Sequence, residues 1–261
     1  MTDENFDIDR FTAIESIKDP ITKSSSSYLT STSFNFEYLL ILTMIDRIKF
    51  FEHLRQNNNR EWFAEHRAEY DEIRREWIDG INTVHALVSE AWPEVRHATP
   101  KTFRIYRDTR FSTDKTPYKT HISSSIAPPG SNVHLPGAYI ESGLSAEDSG
   151  VFIGIWCPEA PVLKKLRHAI VDNIEEWEEI VRDPELNRYY GDWIGQRLKT
   201  APKGWPKDHP QIEYLRLKHI GKAAVLSRRE FADPAWPRLV ADRIIAGLPL
   251  LRFLHYSLTE E

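Results

Sequence analysis

The sequence predicts an α+β fold, with an antiparallel sheet in the middle of the chain packed by N-terminal and C-terminal helices. Three observations predict it. Helical apolar periodicity occupies residues 45–92, short strand-like runs occupy 101–156, and helical patterns return after Pro161. The turns between the strand candidates are short, which favours antiparallel pairing because parallel neighbours need a long crossover. No internal repeat and no regular alternation of strand with helix occurs, so a repeating α/β architecture is disfavoured.

The elements follow in chain order. Ile45, Ile48, Phe51 and Leu54 recur at spacings of three and give a first amphipathic helix. Asn57, Asn58 and Asn59 break it, because their amides compete with helical hydrogen bonds and suit caps and turns. A second helix carries Trp62, Phe63, His66, Tyr70, Ile73, Trp77, Ile81, Val84 and Val88 near one face, with Gly80 as a mild weak point and Trp92-Pro93 as its end. Phe103 to Tyr106, Ile122 to Ile126, Ala138 to Leu144 and Val151 to Trp156 read as four strands. Residues 128–132 and 146–150 read as loop and turn. Pro161 opens a helix expected from Val162 to about Val181. Its bases come early and its acids late, which opposes the helix dipole at both ends; a solvated face accounts for it. The Pro- and Gly-rich stretch 199–210 is irregular. Leu215 to Leu226 reads as a further strand, and Pro234 to about Leu258 as a closing helix.

The chain has 261 residues, 34 basic and 39 acidic, with a net charge of −5; 41% of residues are apolar and 28% charged. These values exclude a collagen-like chain, a fully disordered chain and an integral membrane protein. The apolar run Tyr38 to Ile45 has only eight residues, whereas a membrane span needs about 20. No basic start or small-residue cleavage site suggests a signal peptide. Cys157 is the single cysteine, so no internal disulfide can form. A cytoplasmic location fits these features. Residues 1–43 differ from the rest: they hold seven acids and three bases, a net of −4, and a Ser/Thr-rich patch with no amphipathic period. They read as a disordered or dispensable extension, and residues 44–261 as a single α+β domain. The body from Met44 is therefore nearly neutral.

Chemistry concentrates in Lys101 to His121, where six bases meet two acids, a net of +4. If 103–111 is extended, Arg104, Asp108 and Arg110 share one face and Arg107 the other; a break after Arg107 changes that grouping. Arginine offers a planar fork that binds carboxylate or phosphate with two hydrogen bonds. Arg104, Arg107, Asp108, Arg110, Asp114, Lys115, Tyr118 and Lys119 are the candidate ligand-binding residues. Asp108 and His121 are the candidate acid–base residues, though His121 also reads as a polar strand-end residue. A second tract, 196–229, holds nine bases and two acids, a net of +7. Three functions stay open. An anionic small molecule could bind the first segment in an enzymatic or sensing site. Nucleic acid could bind both tracts. The Arg–Asp network could also simply brace the fold.

The run Arg104-Ile105-Tyr106-Arg107-Asp108-Thr109-Arg110-Phe111-Ser112-Thr113-Asp114-Lys115-Thr116-Pro117-Tyr118 resembles the signature R-x-x-R-D-x-R-F-x-x-D-K-x-x-Y. That signature marks domain-of-unknown-function family 2461, an uncharacterised and mostly bacterial family. Asn58 to Phe63 with Tyr70, Gly154-Ile155-Trp156 with Pro158, Glu159 and Pro161, and several stretches between Leu198 and Lys218 also resemble it. The resemblance covers about residues 45–256, and the extra N-terminal 43 residues depart from it. It implies no activity.

Other features are weaker. The ten histidines show no H-E-x-x-H or comparable spacing, so no metal site is expected. Glycine-rich phosphate loops and a G-x-S-x-G elbow are absent, and no cofactor is expected. His66 reads as a core or boundary histidine, and Cys157 as a buried inert thiol. The aromatics Trp62, Phe63, Tyr70 and Trp77 read as core rather than a base-stacking platform. Trp205 reads either as a ligand cover or as a plug at the core edge.

Overall fold

A computed structural model describes residues 47–129, 135–144 and 149–259. The extension at 1–43, most of the loop at 128–132 and most of the turn at 146–150 lie outside the described residues. Helix α1 (47–56) turns Phe50, Phe51 and Leu54 into the core. Burying each of these side chains contributes about 1.5–3 kcal/mol. The asparagine turn follows, and the Asn59 carboxamide caps α2 (Arg60–Glu65) by accepting from the Trp62 amide at 2.9 Å.

The single helix expected beyond Asn59 is broken at His66, whose φ/ψ of −104°/13° leaves the helical region. The His66 ring donates from Nδ1 to the Trp62 carbonyl at 2.8 Å and stacks on the Trp62 ring at 3.9 Å, as a boundary histidine would. Helix α3 (Arg67–Ala91) then buries Tyr70, Ile73, Trp77, Ile81, Val84 and Val88, the stripe that the periodicity predicts. A short 3-10 turn, Pro93–Val95, ends the helical segment.

The sheet is antiparallel and five-stranded in the order β1 (Lys101–Thr102), β2 (Ile122–Ile126), β3 (Gly137–Ser142), β4 (Gly150–Ile155), β5 (Ile220–Val225). Its register places Ser123 opposite Glu141, Tyr139 opposite Phe152, and Phe152 opposite Ala223. Alternation then sorts the two faces. Ile122, Ile126, Ile140, Val151, Ile153, Ile155, Ile220 and Ala224 join the main core with residues of α1, α3, α4, α5, α9 and α10. Tyr139, Phe152 and Ala223 point the other way, where Phe103, Trp156 and Ile194 from connecting segments cover them. Helices therefore pack on one face, and loops close the other.

The strand expected from Leu215 to Leu226 is shorter, because helix α7 (Ile212–Leu215) occupies its start and β5 begins only at Ile220. The helix expected from Val162 to Val181 is two helices, α4 (Ala160–Asp172) and α5 (Ile174–Arg182). Asn173 separates them; its amide side chain donates to the Ala169 carbonyl at 3.1 Å and competes with the helix. The break also eases the expected conflict with the dipole, though Asp172 still ends α4. Glu175 and Glu176 now occupy the first turn of α5 and Arg182 its last, which is the favourable order.

Two short helices had no counterpart in the sequence reading. In α6 (Pro184–Tyr189) the Asp183 carboxylate accepts from the Glu185 and Leu186 amides. In α8 (Arg228–Ala232) Ser227 and Glu230 form a capping box. The closing helix is likewise divided into α9 (Trp236–Ala246) and α10 (Leu248–Thr259). They meet at Gly247, where a β-carbon would stand 2.2 Å from Ile153 Cδ1. Glycine there lets the junction rest directly on the sheet.

Candidate functional site

The basic segment leaves the sheet as a folded-back loop. The strand expected at Phe103 to Tyr106 does not form: β1 ends just before it, at Thr102, and only scattered main-chain hydrogen bonds continue the arm. The Phe103 amide donates to the Ser123 carbonyl at 3.0 Å, the Lys119 amide to Ile105 at 2.7 Å, and the Arg107 amide to Pro117 at 2.9 Å. Tyr106 and Tyr118 form an isolated bridge between the two arms. Past Arg107 the chain turns, so the extended grouping of Arg104, Asp108 and Arg110 on one face does not hold. The reason is local: the Asp108 carboxylate accepts from the Arg110 amide at 3.1 Å and closes a side-chain turn. Asp114 does the same with the Thr116 amide at 2.9 Å.

The loop is anchored by the asparagine turn. Asn58 donates from its side chain to the Tyr118 carbonyl at 2.9 Å and accepts from the Tyr118 amide at 3.1 Å. The Phe63 ring stacks on Tyr118 at 4.1 Å. Residues sixty positions apart are thus fixed by two backbone-directed bonds and one ring contact.

A cleft of about 310 Å³ lies against this loop. Five of the sequence-predicted residues line it: Arg107, Asp114, Tyr118, Lys119 and His121. Arg55, Asn58, Thr116, Thr120, Gly143 and Leu144 complete it and were not singled out from the sequence as site residues. Arg104, Asp108, Arg110 and Lys115 are not among the lining residues. Arg110 grips the Asp108 carboxylate with Nε at 3.0 and 3.1 Å and with Nη2 at 2.6 Å, an exposed pair at the loop tip. Lys115 donates to the Thr109 carbonyl at 2.8 Å and braces that tip.

Inside the cleft Arg107 is the most constrained cation. Its Nη1 donates to Asp114 Oδ2 at 2.6 Å, to the Thr116 carbonyl at 3.2 Å and to the Thr116 hydroxyl. Among the described residues nothing accepts from its Nε or Nη2. The Thr116 amide, with the Arg107 guanidinium and the Thr116 hydroxyl behind it, holds Asp114 down at about 2. Arg110 holds Asp108 equally low, at about 2, so Asp108 stays ionised and carries no proton near neutrality. Burial pushes the Tyr118 phenol upward.

Behind the cleft the sheet presents a buried polar row. His121 stands two residues before Ser123, on the face that carries Glu141 and Tyr139. His121 Nε2 is 3.9 Å from Glu141 Oε2, and the Tyr139 hydroxyl donates to the same oxygen at 2.5 Å. Glu141 is fully buried. Neither Glu141 nor Tyr139 was singled out from the sequence. The available signal was an acid directly after the apolar run Ala138 to Ile140.

The second basic tract does not reach this cleft. Arg197 pairs with Asp192 and Glu213 at 3.1 Å each, and Arg216 pairs with Glu213 at 3.1 Å. Lys218 donates to Gln196 Oε1 at 3.0 Å. Lys222 is buried, donates to the Gly191 carbonyl, and has its pKa lowered by that burial. Arg228 pairs with Glu52 at 3.6 Å. Cys157 is exposed rather than buried, because a φ of 45° turns it out of the end of β4. Its amide donates to His219 Nδ1 at 3.0 Å. Trp205 is half-buried between His168 and His209, with ring centroids 5.1 and 5.0 Å away. Among the described residues no group of three or more His, Cys, Asp or Glu could hold a metal ion. None of the helices among them is long and apolar enough to cross a membrane.

Fold and cleft together define an α+β protein with a cation-lined pocket over one end of an antiparallel sheet. The chain belongs to the family described as "Conserved hypothetical protein (DUF2461)", whose model matches residues 46–253. No curated protein and no solved structure matches it.

Proposed function

We propose that the cleft binds a small molecule bearing a phosphate or carboxylate group, and that Arg107 is its anchor. One observation carries this reading: Arg107 is fixed through Nη1 alone, so its Nε and Nη2 remain to receive an oxyanion. A cation held this way loses little freedom when a ligand arrives. Arg55, Lys119 and the Tyr118 and Asn58 side chains stand around the same space. Asp114 is the single carboxylate among the lining residues, and its charge is already answered by Arg107. His121, backed by Glu141 and Tyr139, is the group placed to move a proton if the bound molecule reacts. Asp108 is not, since Arg110 occupies it.

A nucleic-acid role for the tracts 101–121 and 196–229 has less support. Most bases of the second tract whose contacts are described are answered by Asp192, Glu213, Glu52 or main-chain carbonyls.

Calorimetric titration of the full chain with inorganic phosphate tests the proposal. Wild type should bind saturably. Arg107→Met should weaken binding by at least about tenfold, since hydrogen bonds from a charged donor contribute about 1.5–3 kcal/mol. Arg182→Met, on the remote helix α5, should bind as wild type does. Equal affinity in wild type and Arg107→Met would overturn the assignment. A steep loss of duplex DNA binding with salt, without phosphate binding, would favour the nucleic-acid reading instead.

A further inference from the structure

The size, charge and walls of the signature cleft restrict what its anion is attached to. At about 310 Å³ the cleft lies at the lower end of the range for ligand pockets, about 300–1,000 Å³, so the whole ligand is small. Its lining residues bring three cations, Arg55, Arg107 and Lys119, against one carboxylate, Asp114, which leaves a formal +2 with His121 neutral. A phosphate monoester carries about −1.5 to −2 near neutrality and answers that charge. A carboxylate carries a single charge and leaves half of it unanswered.

The walls disfavour a nucleobase or another flat apolar group, which would rest on an exposed aromatic face. Tyr118 brings the only phenyl-type ring among the described lining residues. Phe63 stacks on that ring at 4.1 Å, Tyr106 meets it at 5.4 Å, and the residue is 5% exposed. Leu144, the one aliphatic side chain longer than glycine in the lining, is buried as well. Polar atoms are accessible instead. Thr120 is half-buried, and its hydroxyl has no hydrogen-bond partner among the described residues yet is not one of the orphaned atoms sealed from solvent. The same holds for Arg107 Nε and Nη2.

These two groups lie toward different ends of the cleft. Main-chain bonds from Arg107 to Pro117 and from Lys119 to Ile105 hold the arm extended, so Thr116 and Thr120 fall on the same side of it. At about 3.3 Å per residue, Thr120 stands up to about 13 Å along the arm from Thr116, whose carbonyl and hydroxyl fix Arg107. We propose that the cleft takes the phosphate monoester of a small polyol, a sugar monophosphate, with Arg107 on the phosphate and the Thr120 hydroxyl on a hydroxyl of the sugar. This rests on the anion-binding reading above and adds to it the charge and the body of the ligand. Thr120 is then a specificity-determining residue: it distinguishes the sugar phosphate from bare phosphate.

Calorimetric titration of the full chain near neutral pH with ribose 5-phosphate, inorganic phosphate, ribonate and AMP tests the proposal. Ribose 5-phosphate should bind at least about fivefold tighter than inorganic phosphate, the worth of roughly one added hydrogen bond. Ribonate, a comparable hydroxyl body on a single charge, should bind about tenfold more weakly than ribose 5-phosphate. AMP adds a base to the same sugar phosphate and should bind more weakly than ribose 5-phosphate. Thr120→Val should weaken ribose 5-phosphate by about fivefold and leave inorganic phosphate unchanged. Four results overturn this inference while leaving the anchor at Arg107 intact: inorganic phosphate binding as tightly as ribose 5-phosphate, ribonate matching it, AMP exceeding it, or Thr120→Val binding it as wild type does. Absence of saturable binding by both inorganic phosphate and ribose 5-phosphate in wild type overturns the anion-binding reading and this inference together.

Discussion

Replacing Gly80 with alanine sets helix propensity against packing, and the two predict opposite signs. Gly80 lies in the middle of α3, where propensity alone favours alanine by about 1 kcal/mol. A β-carbon at this position would stand 2.0 Å from Trp236 Cζ2, 2.7 Å from Cη2 and 2.9 Å from Cε2. Carbon atoms rest about 3.5–4.0 Å apart, so the nearest contact falls short by roughly 1.5 Å. The Trp236 ring has little room to yield. It stacks on Trp77 at 5.2 Å and 8°, and meets Phe231 at 5.7 Å. Trp77 is itself pinned, because its indole donates to the buried Ser124 hydroxyl at 2.8 Å. Overpacking of a close-packed core costs about 1–3 kcal/mol. The upper end applies here, since the intruding atom sits on a helix backbone and meets a held ring. Subtracting the propensity gain leaves a net loss of about 2 kcal/mol. Urea unfolding followed by circular dichroism reads the loss directly. Thermal melting should show a fall of about 6 °C, at roughly 3 °C per kcal/mol for a chain of this size. Adding Trp236→Phe makes room for the methyl group, so the double variant should be less destabilised than the sum of the two single variants. A Gly80→Ala protein as stable as wild type, or strictly additive behaviour in the double variant, would refute the packing argument.

Two further outcomes follow from the signature loop. Asp114 is held at about 2, below its unfolded value of about 4, so it stabilises the fold above the unfolded value and stops doing so as pH falls through about 2. Asp114→Asn should flatten the decline of melting temperature over that window, and a profile superimposable on wild type would contradict the assignment. Asn58→Ala removes both hydrogen bonds to the Tyr118 main chain. It should cost about 1–3 kcal/mol in urea unfolding, and it should weaken phosphate binding because Arg107 and Lys119 flank the released anchor. Unchanged stability together with unchanged phosphate affinity would tell against that anchoring role.

The candidate site was legible as a cluster and illegible as a geometry. Charge density in Lys101 to His121 pointed to Arg107, Asp114, Tyr118, Lys119 and His121, all of which line one cleft. The same density gave equal weight to Arg104, Asp108, Arg110 and Lys115, which do not line it. Two carboxylates fixed that sorting by closing local turns, and one ion pair then removed Asp108 and Arg110 from the cleft. Periodicity cannot foresee this, because it assumes one backbone conformation throughout a segment. Asn58 could be read as a turn residue, but its two bonds to Tyr118 depend on how α1 and α2 dock. The break at Asn173 had a local cause in its side chain, which competes for the Ala169 carbonyl.

The sequence by itself determined the fold class and most of the element order. Apolar periodicity reports which faces leave water, and burial is the dominant favourable contribution to folding. The stripe on α3 and the runs forming β2, β3 and β4 are consequences of that one effect. Sequence also located the charge-rich loop, because like charges gathered in a short span need an arrangement that answers them. Only the tertiary structure decided which charges answer one another. The basic tract at 196–229 is answered by Asp192 and Glu52, both outside it in sequence. Arg47 opens a helix that the sequence marked only for its apolar stripe, yet its guanidinium lies over the Trp77 and Phe231 rings with Nε and Nη2 unmatched. Coulomb and hydrogen-bond energies depend on separations of a few ångströms and on local exclusion of water. Those distances arise when segments far apart in the chain are packed together.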